Sequence, residues 1–177
     1  MNANRPLCAP AIALASVLAA LSIAAATPSP PDVDPANFVR GVGNPYFPLE
    51  PGTTFVYEGT KEGLDPAGNV ISTEGSWEAG VNDADAGIIM EAHPRVSDRY
   101  YQEFLPGVAE DQARVLSLQE SVCVGYGCFD GVLLTRETTR LEPGAVEQKY
   151  YAKGVGFVLG VAIKGSNERS ELIAVNH

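Results

Sequence analysis

The chain has 177 residues, with 22 acids against 12 basic residues and a formal charge of −10. The acids are spread along the chain, and such a surface repels phosphate backbones, so nucleic acid is excluded as an expected partner. The length suits one domain with a fair core.

The N-terminus has the three parts of a secretory signal. Met1 to Pro10 carries Arg5 and no acid, Ala11 to Ile23 is apolar, and Ala24-Ala25-Ala26 offers small residues for cleavage. A signal helix over residues 1–26 is therefore expected to be removed. Its apolar run falls short of the about 20 strongly apolar residues of a membrane span. A lipoprotein needs a cysteine directly after the apolar run, but Cys8 precedes it. The expected mature chain starts near Thr27, is secreted or periplasmic, and has no membrane anchor.

Residues 27–36 form a proline-rich linker, Thr27-Pro-Ser-Pro-Pro-Asp-Val-Asp34 at its core, and residues 37–177 are read as a single β domain. A short helical turn is expected over Pro35 to Val39. Three prolines at 45, 48 and 51 then keep the chain extended or turning. From Thr53 the pattern alternates with period two, which predicts a first strand through Glu58. Asp65-Pro-Ala-Gly-Asn69 is a turn, Val70 to Trp77 reads as a second strand, and Gly80 to Gly87 as a loop. Arg99 to Leu105 reads as a third strand, closed by Pro106-Gly107.

Ala109 to Val124 matches both periods in part: its acidic start could cap a helix, but Val115, Leu116, Leu118, Val122 and Val124 fit strand spacing, so it is read as a strand that runs into Cys123 and Cys128, which export would place in an oxidising compartment. Between them, Gly125 and Gly127 are expected to supply the positive φ of a tight reversal, giving a hairpin stapled by a disulfide. The return arm runs from Cys128 to Leu141. Turns at Glu142-Pro-Gly144, Lys153-Gly154 and Gly165-Ser-Asn167 then separate strands over Ala145 to Ala152, Val155 to Lys164 and Glu168 to Val175. Turn signals every ten or so residues predict a mainly β chain: a curved antiparallel meander sheet, half-barrel or sandwich-like.

The run Asn44-Pro-Tyr-Phe-Pro-Leu-Glu-Pro-Gly-Thr-Thr-Phe-Val-Tyr-Glu-Gly59 resembles the opening of an uncharacterised family of bacterial secreted proteins and lipoproteins. Ser72 to Gly80, Pro106 to Asp111 and Lys149 to Gly156 resemble its later blocks, so the likeness spans most of Asn37 to Val175. The resemblance implies a curved antiparallel sheet, related to β domains of unknown function, and no activity or cofactor. It also implies several further strands between Thr60 and Val70, where this chain has only Lys61 to Asn69; an internally shortened member with an exposed sheet edge is the expectation.

Catalytic chemistry is sparsely signalled. The two histidines, His93 and His177, have no ligating company, and no G-x-S-x-G elbow is present. Asp83 and Asp85 lie in a glycine-flanked loop that reads as a solvated turn, without the EF-hand spacing. Acid pairs such as Glu110 with Asp111 and Glu74 with Glu78 read as solvent-facing charge, so no catalytic, metal or cofactor site is assigned. Aromatic residues on strands usually build core. Tyr100-Tyr101 and Tyr150-Tyr151 are adjacent pairs, however, so one ring of each is expected off the core face. Tyr46, Trp77, Tyr100, Tyr101, Tyr150 and Tyr151 are the candidate contacts. The function expected is non-enzymatic binding of a small apolar ligand on a concave sheet face. The alternatives are a structural or interaction module contacting an envelope protein, then a hydrolase using paired acids.

Overall fold

The computed structural model describes residues 28–31, 34–60, 63–73 and 76–177. The signal expected over residues 1–26 lies outside them. A 3-10 turn, Pro35–Asn37, begins in the last residues of the linker. Among the described residues seven strands form one open antiparallel sheet: β1 (Thr54–Thr60), β2 (Arg99–Tyr101), β3 (Asp111–Val124), β4 (Gly127–Thr139), β5 (Val146–Ala152), β6 (Gly156–Lys164) and β7 (Arg169–Asn176). The order β1-β7-β6-β5-β4-β3-β2 makes β2 to β7 a continuous meander, with β1 returning to pair with β7. The turns that drive it are the expected ones. Ala145 donates to the Glu142 carbonyl at 2.9 Å, and Gly154 and Gly165 take the left-handed φ of 76° and 100° that reverses the chain.

Both faces of the sheet are packed. On one, Tyr100, Ala113, Val115, Leu133 and Tyr151 meet Tyr46 and Met90, which come from segments outside the sheet. Asn44 clamps that cover in place: its side-chain amide donates to the carbonyls of Met90 (3.2 Å) and Glu91 (3.0 Å), and its Oδ1 accepts from the Tyr46 amide at 2.9 Å. The Gly154 amide adds a bond of 2.7 Å to the Pro45 carbonyl. The Asn44-Pro-Tyr-Phe run thus acts as a lid over the sheet.

On the other face, Val132, Ala152, Val158 and Leu172 pack with Phe55, Val122, Phe129 and Val175. This face closes because the β3–β4 hairpin bends back over the sheet. Register shifts interrupt its pairing between Val115 and Ser121, and Gly131 on β4 takes a φ of 64°, as bulged strands do when they bend. The hairpin tip then rests on β7, where the Tyr126 amide donates to the Leu172 carbonyl at 2.9 Å.

Cys123 and Cys128 face each other across that hairpin in a disulfide, with Cα atoms 4.0 Å apart. Closing so short a loop stabilises by about 2 kcal/mol on a chain-entropy account. The turn itself differs from expectation. Val124 pairs with Gly127, leaving the two residues Gly125-Tyr126, and neither Gly125 nor Gly127 is among the positive-φ glycines. Gly125 serves close approach instead: a Cβ there would lie 2.9 Å from Ile173 Cγ2 on β7.

Two expected strands are also corrected. Val70 to Trp77 forms no strand in its described residues. Val70 makes one isolated bridge to Leu64 around the Asp65–Asn69 turn, and the amides of Ile71 and Ser72 turn to the Gly63 carbonyl. Val70 and Ile71 are 67 % and 68 % exposed, so their strand propensity has no surface to pack on. The third strand stops at Tyr101, because the chain beyond it also bonds a loop on its other side. The Asp85 amide donates to the Phe104 carbonyl (2.8 Å) and the Ile88 amide to that of Tyr101 (2.9 Å). Leu105 bridges Ala109 in the Pro106-Gly107 turn.

Candidate functional site

Four aromatic rings line up on the lidded face. Phe47 of the lid, Tyr151 of β5, Phe157 of β6 and Tyr57 of β1 follow one another at centroid separations of 6.5, 5.8 and 5.4 Å. Their interplanar angles of 59°, 56° and 37° are the tilted arrangements that aromatic quadrupoles favour. The Tyr57 hydroxyl donates to the Phe157 carbonyl at 3.0 Å and fixes the end of the row. Burial raises the pKa of the Tyr57 phenol above its ordinary value.

These four rings, with Ile89, line a pocket of about 360 Å³. Its floor is Gly160, which pairs with Lys149 on β5 and Ser170 on β7. A Cβ on Gly160 would lie 2.9 Å from Phe157 Cζ, so the missing side chain is what lets the Phe157 ring lie over the strand. Thr60, Glu147, Lys149, Glu168 and Arg169 supply polar groups around this apolar floor. The size is within the range of small-molecule sites, and an apolar lining with a few polar groups is their usual composition.

Lys149 is held by a polar group that reaches from the pocket into the sheet. Its Nζ lies 2.5 Å from Glu137 Oε2 and 3.3 Å from Glu147 Oε2. Glu137, 5 % exposed, has its other oxygen satisfied by Thr135 Oγ1 (3.0 Å) and Gln102 Nε2 (3.1 Å). The strand register brings this group together, pairing Thr135 with Lys149 and Glu137 with Glu147. Burial opposes the Lys149 charge, but the two carboxylates outweigh it and hold the ammonium above lysine's ordinary pKa.

Beside the pocket lies a wider polar cleft of about 820 Å³, and Glu147 and Glu168 line both spaces. Glu103 stands in the cleft and accepts a hydrogen bond from Trp77 Nε1. Burial and the neighbouring Asp111 carboxylate push the Glu103 carboxyl above its usual range.

Of the six aromatic candidates, Tyr151 alone lines the pocket. Tyr46, Tyr100 and Tyr101 are core at 5 %, 3 % and 3 % exposure, Trp77 is half-buried against Glu103, and Tyr150 packs on the opposite face in the second cluster. Neighbouring rings do alternate between faces, but both faces are covered, so alternation does not bring a ring to solvent. Tyr101 and Tyr46 each lie under a cation, Arg140 at 5.9 Å and Lys153 at 5.5 Å from the ring centroid.

The other singled-out residues are dispersed. Asp83 and Asn82 take positive φ in their loop, Glu110 holds the Gly107 amide at 2.9 Å and Arg140 at 3.0 Å, and His177 meets Thr53 Oγ1 at 3.2 Å. Among the described residues no three His, Cys, Asp or Glu side chains are grouped to hold a metal ion. Glu74 lies outside the described residues.

Sequence reasoning missed Gly160, Lys149, Ile89 and Ser170 as pocket residues. An isolated glycine inside the strand run Phe157-Val-Leu-Gly-Val161 was the available signal, since such a glycine marks a bulge or a close approach. Among the described residues no helix is long and apolar enough to cross a membrane. The chain matches no family model, no curated protein and no solved structure.

Proposed function

We propose that this is an exported, non-enzymatic β-domain protein that binds a small apolar ligand in the pocket between the lid and strands β1, β5, β6 and β7. The observation that carries the reading is the row Phe47, Tyr151, Phe157 and Tyr57 around an apolar space of about 360 Å³ floored by Gly160. Large aromatic side chains usually fill space in a core; here four of them also border an open space, Tyr151 from its place in the core cluster.

Titration with N-phenyl-1-naphthylamine, an apolar dye that is neutral at pH 7 and brightens out of water, is expected to show saturable one-to-one binding. Gly160→Leu pushes the Phe157 ring into the pocket and should weaken the dye at least about tenfold. Ile89→Trp, made at a side chain that is 49 % exposed, fills the same space without touching the core and should do likewise. Unchanged dye affinity in both folded variants would contradict the reading.

Export is supported by the signal pattern of residues 1–26 and by the disulfide, a bond favoured in oxidising compartments. Protein recovered from its host is expected to begin near Thr27 and to weigh about two mass units less than its reduced form. Retention of Met1 or free thiols at Cys123 and Cys128 would count against it.

A further inference from the structure

The polar groups that line the pocket fall into two kinds. Each charged side chain already has a partner: Lys149 Nζ lies 2.5 Å from Glu137 and 3.3 Å from Glu147, Arg169 lies 2.5 Å from Glu171, and Glu168 is engaged as well. An ion seated on the aromatic row would give up water for a wall whose charged groups are all taken. The two hydroxyl residues of the lining, Ser170 and Thr60, differ, since neither side chain makes a hydrogen bond among the described residues. Thr60 is exposed at the end of β1, whereas Ser170 is half-buried and pairs with Gly160, which places it on the face that floors the pocket.

We propose that the ligand is an uncharged, flat aromatic ring compound that carries a hydroxyl or carbonyl group for Ser170. This rests on the reading of the pocket given above. The rings of Phe47, Tyr151, Phe157 and Tyr57 favour an occupant of their own kind, because aromatic rings gain from tilted or offset contact beyond the area they bury. A rigid ring system also avoids the entropy that a flexible chain loses when its rotors are fixed. The size agrees: at liquid-like packing a space of about 360 Å³ holds roughly 200 Å³ of ligand, the bulk of roughly two or three fused rings. A hydrogen bond at the half-buried Ser170 hydroxyl then fixes which way the rings lie, as the few polar groups of an apolar site usually do.

The test is displacement of N-phenyl-1-naphthylamine from the protein at pH 7 by compounds that share one ten-carbon skeleton: 2-naphthol, naphthalene, decahydro-2-naphthol, 2-naphthoate and (2-naphthyl)methylammonium. The uncharged 2-naphthol is expected to displace the dye at about one-fifth the concentration that naphthalene needs, the worth of one hydrogen bond. It should need about one-tenth the concentration of the saturated alcohol, which is not flat, and of either ion. Ser170→Ala should close the gap between 2-naphthol and naphthalene without closing the gap between naphthalene and the ions. Decahydro-2-naphthol or either ion displacing as well as 2-naphthol, or a gap to naphthalene that survives in Ser170→Ala, overturns the assignment and leaves the apolar pocket standing. Absence of dye binding to the unmodified protein overturns both.

Discussion

Lys149→Met is expected to destabilise the protein by about 3 kcal/mol at pH 7, read as a lower urea midpoint with an unchanged slope. The substitution leaves Glu137, 5 % exposed, without the ammonium 2.5 Å from its Oε2. Thr135 and Gln102 still donate to Oε1, but two neutral donors do not replace a cation. Removing both ends of the pair, as Glu137→Leu with Lys149→Met, should recover most of the loss, because the penalty comes from the orphaned charge and not from the absence of a bond.

The pH dependence has a definite sign. The Lys149 pKa is raised in the folded protein, so the folded state holds this proton more tightly than the unfolded chain does. Its contribution is fully present below lysine's ordinary value of about 10.4 and is lost as pH rises through the higher folded value. The unmodified protein should thus keep this contribution through neutrality and lose it at alkaline pH. A Lys149→Met variant as stable as the unmodified protein at pH 7 would show that Glu137 does not depend on this cation.

Gly59→Ala should detach the C-terminal half of β1 from β7 and cost about 2 kcal/mol. A Cβ at Gly59 would fall on the Arg169 carbonyl oxygen, 2.7 Å from the Arg169 carbonyl carbon and 2.8 Å from Ser170 Cα. All three are backbone atoms of β7 and cannot swing aside as a side chain could. Tyr57, two residues earlier, carries one end of the aromatic row, so dye affinity should fall together with protection of the β1 amides from hydrogen exchange. Gly144→Ala is the matched control. It has nothing within 4 Å of a new Cβ and no left-handed φ, and should leave stability and binding within about 0.5 kcal/mol. Native exchange rates in β1 of Gly59→Ala would contradict the account of this strand.

Much of the sheet was legible because its signals are local. The strand-spaced runs from Thr53 and Ala109, and turn chemistry at Glu142 to Gly144, Lys153-Gly154 and Gly165 to Asn167, each act over a few residues and agree with the strands they border to within two residues. Val70 to Trp77 was misread because strand propensity needs a partner to pack on, and partners are set at long range. The hairpin glycines were assigned to the turn, whereas the constraint on Gly125 comes from Ile173, far along the chain.

The pocket was the least legible part. Phe47, Tyr57, Tyr151 and Phe157 converge only through the return of β1 to β7 and the placement of the lid, neither of which leaves a periodic mark. The alternation of Tyr150 and Tyr151 was readable, but not that a second core covers the face on which Tyr150 sits. No local signal singles out Lys149, which only the strand register brings to Glu137 and Glu147.

The central claim is that the aromatic row borders a binding site and not a packing defect. The most direct measurement is a two-dimensional NMR titration of the isotopically labelled domain with N-phenyl-1-naphthylamine. Saturable shifts confined to Phe47, Tyr57, Ile89, Tyr151, Phe157, Gly160 and their immediate neighbours are the expected result. Shifts centred on the opposite cluster around Val132 and Leu172, or none at all at saturating dye, would contradict it.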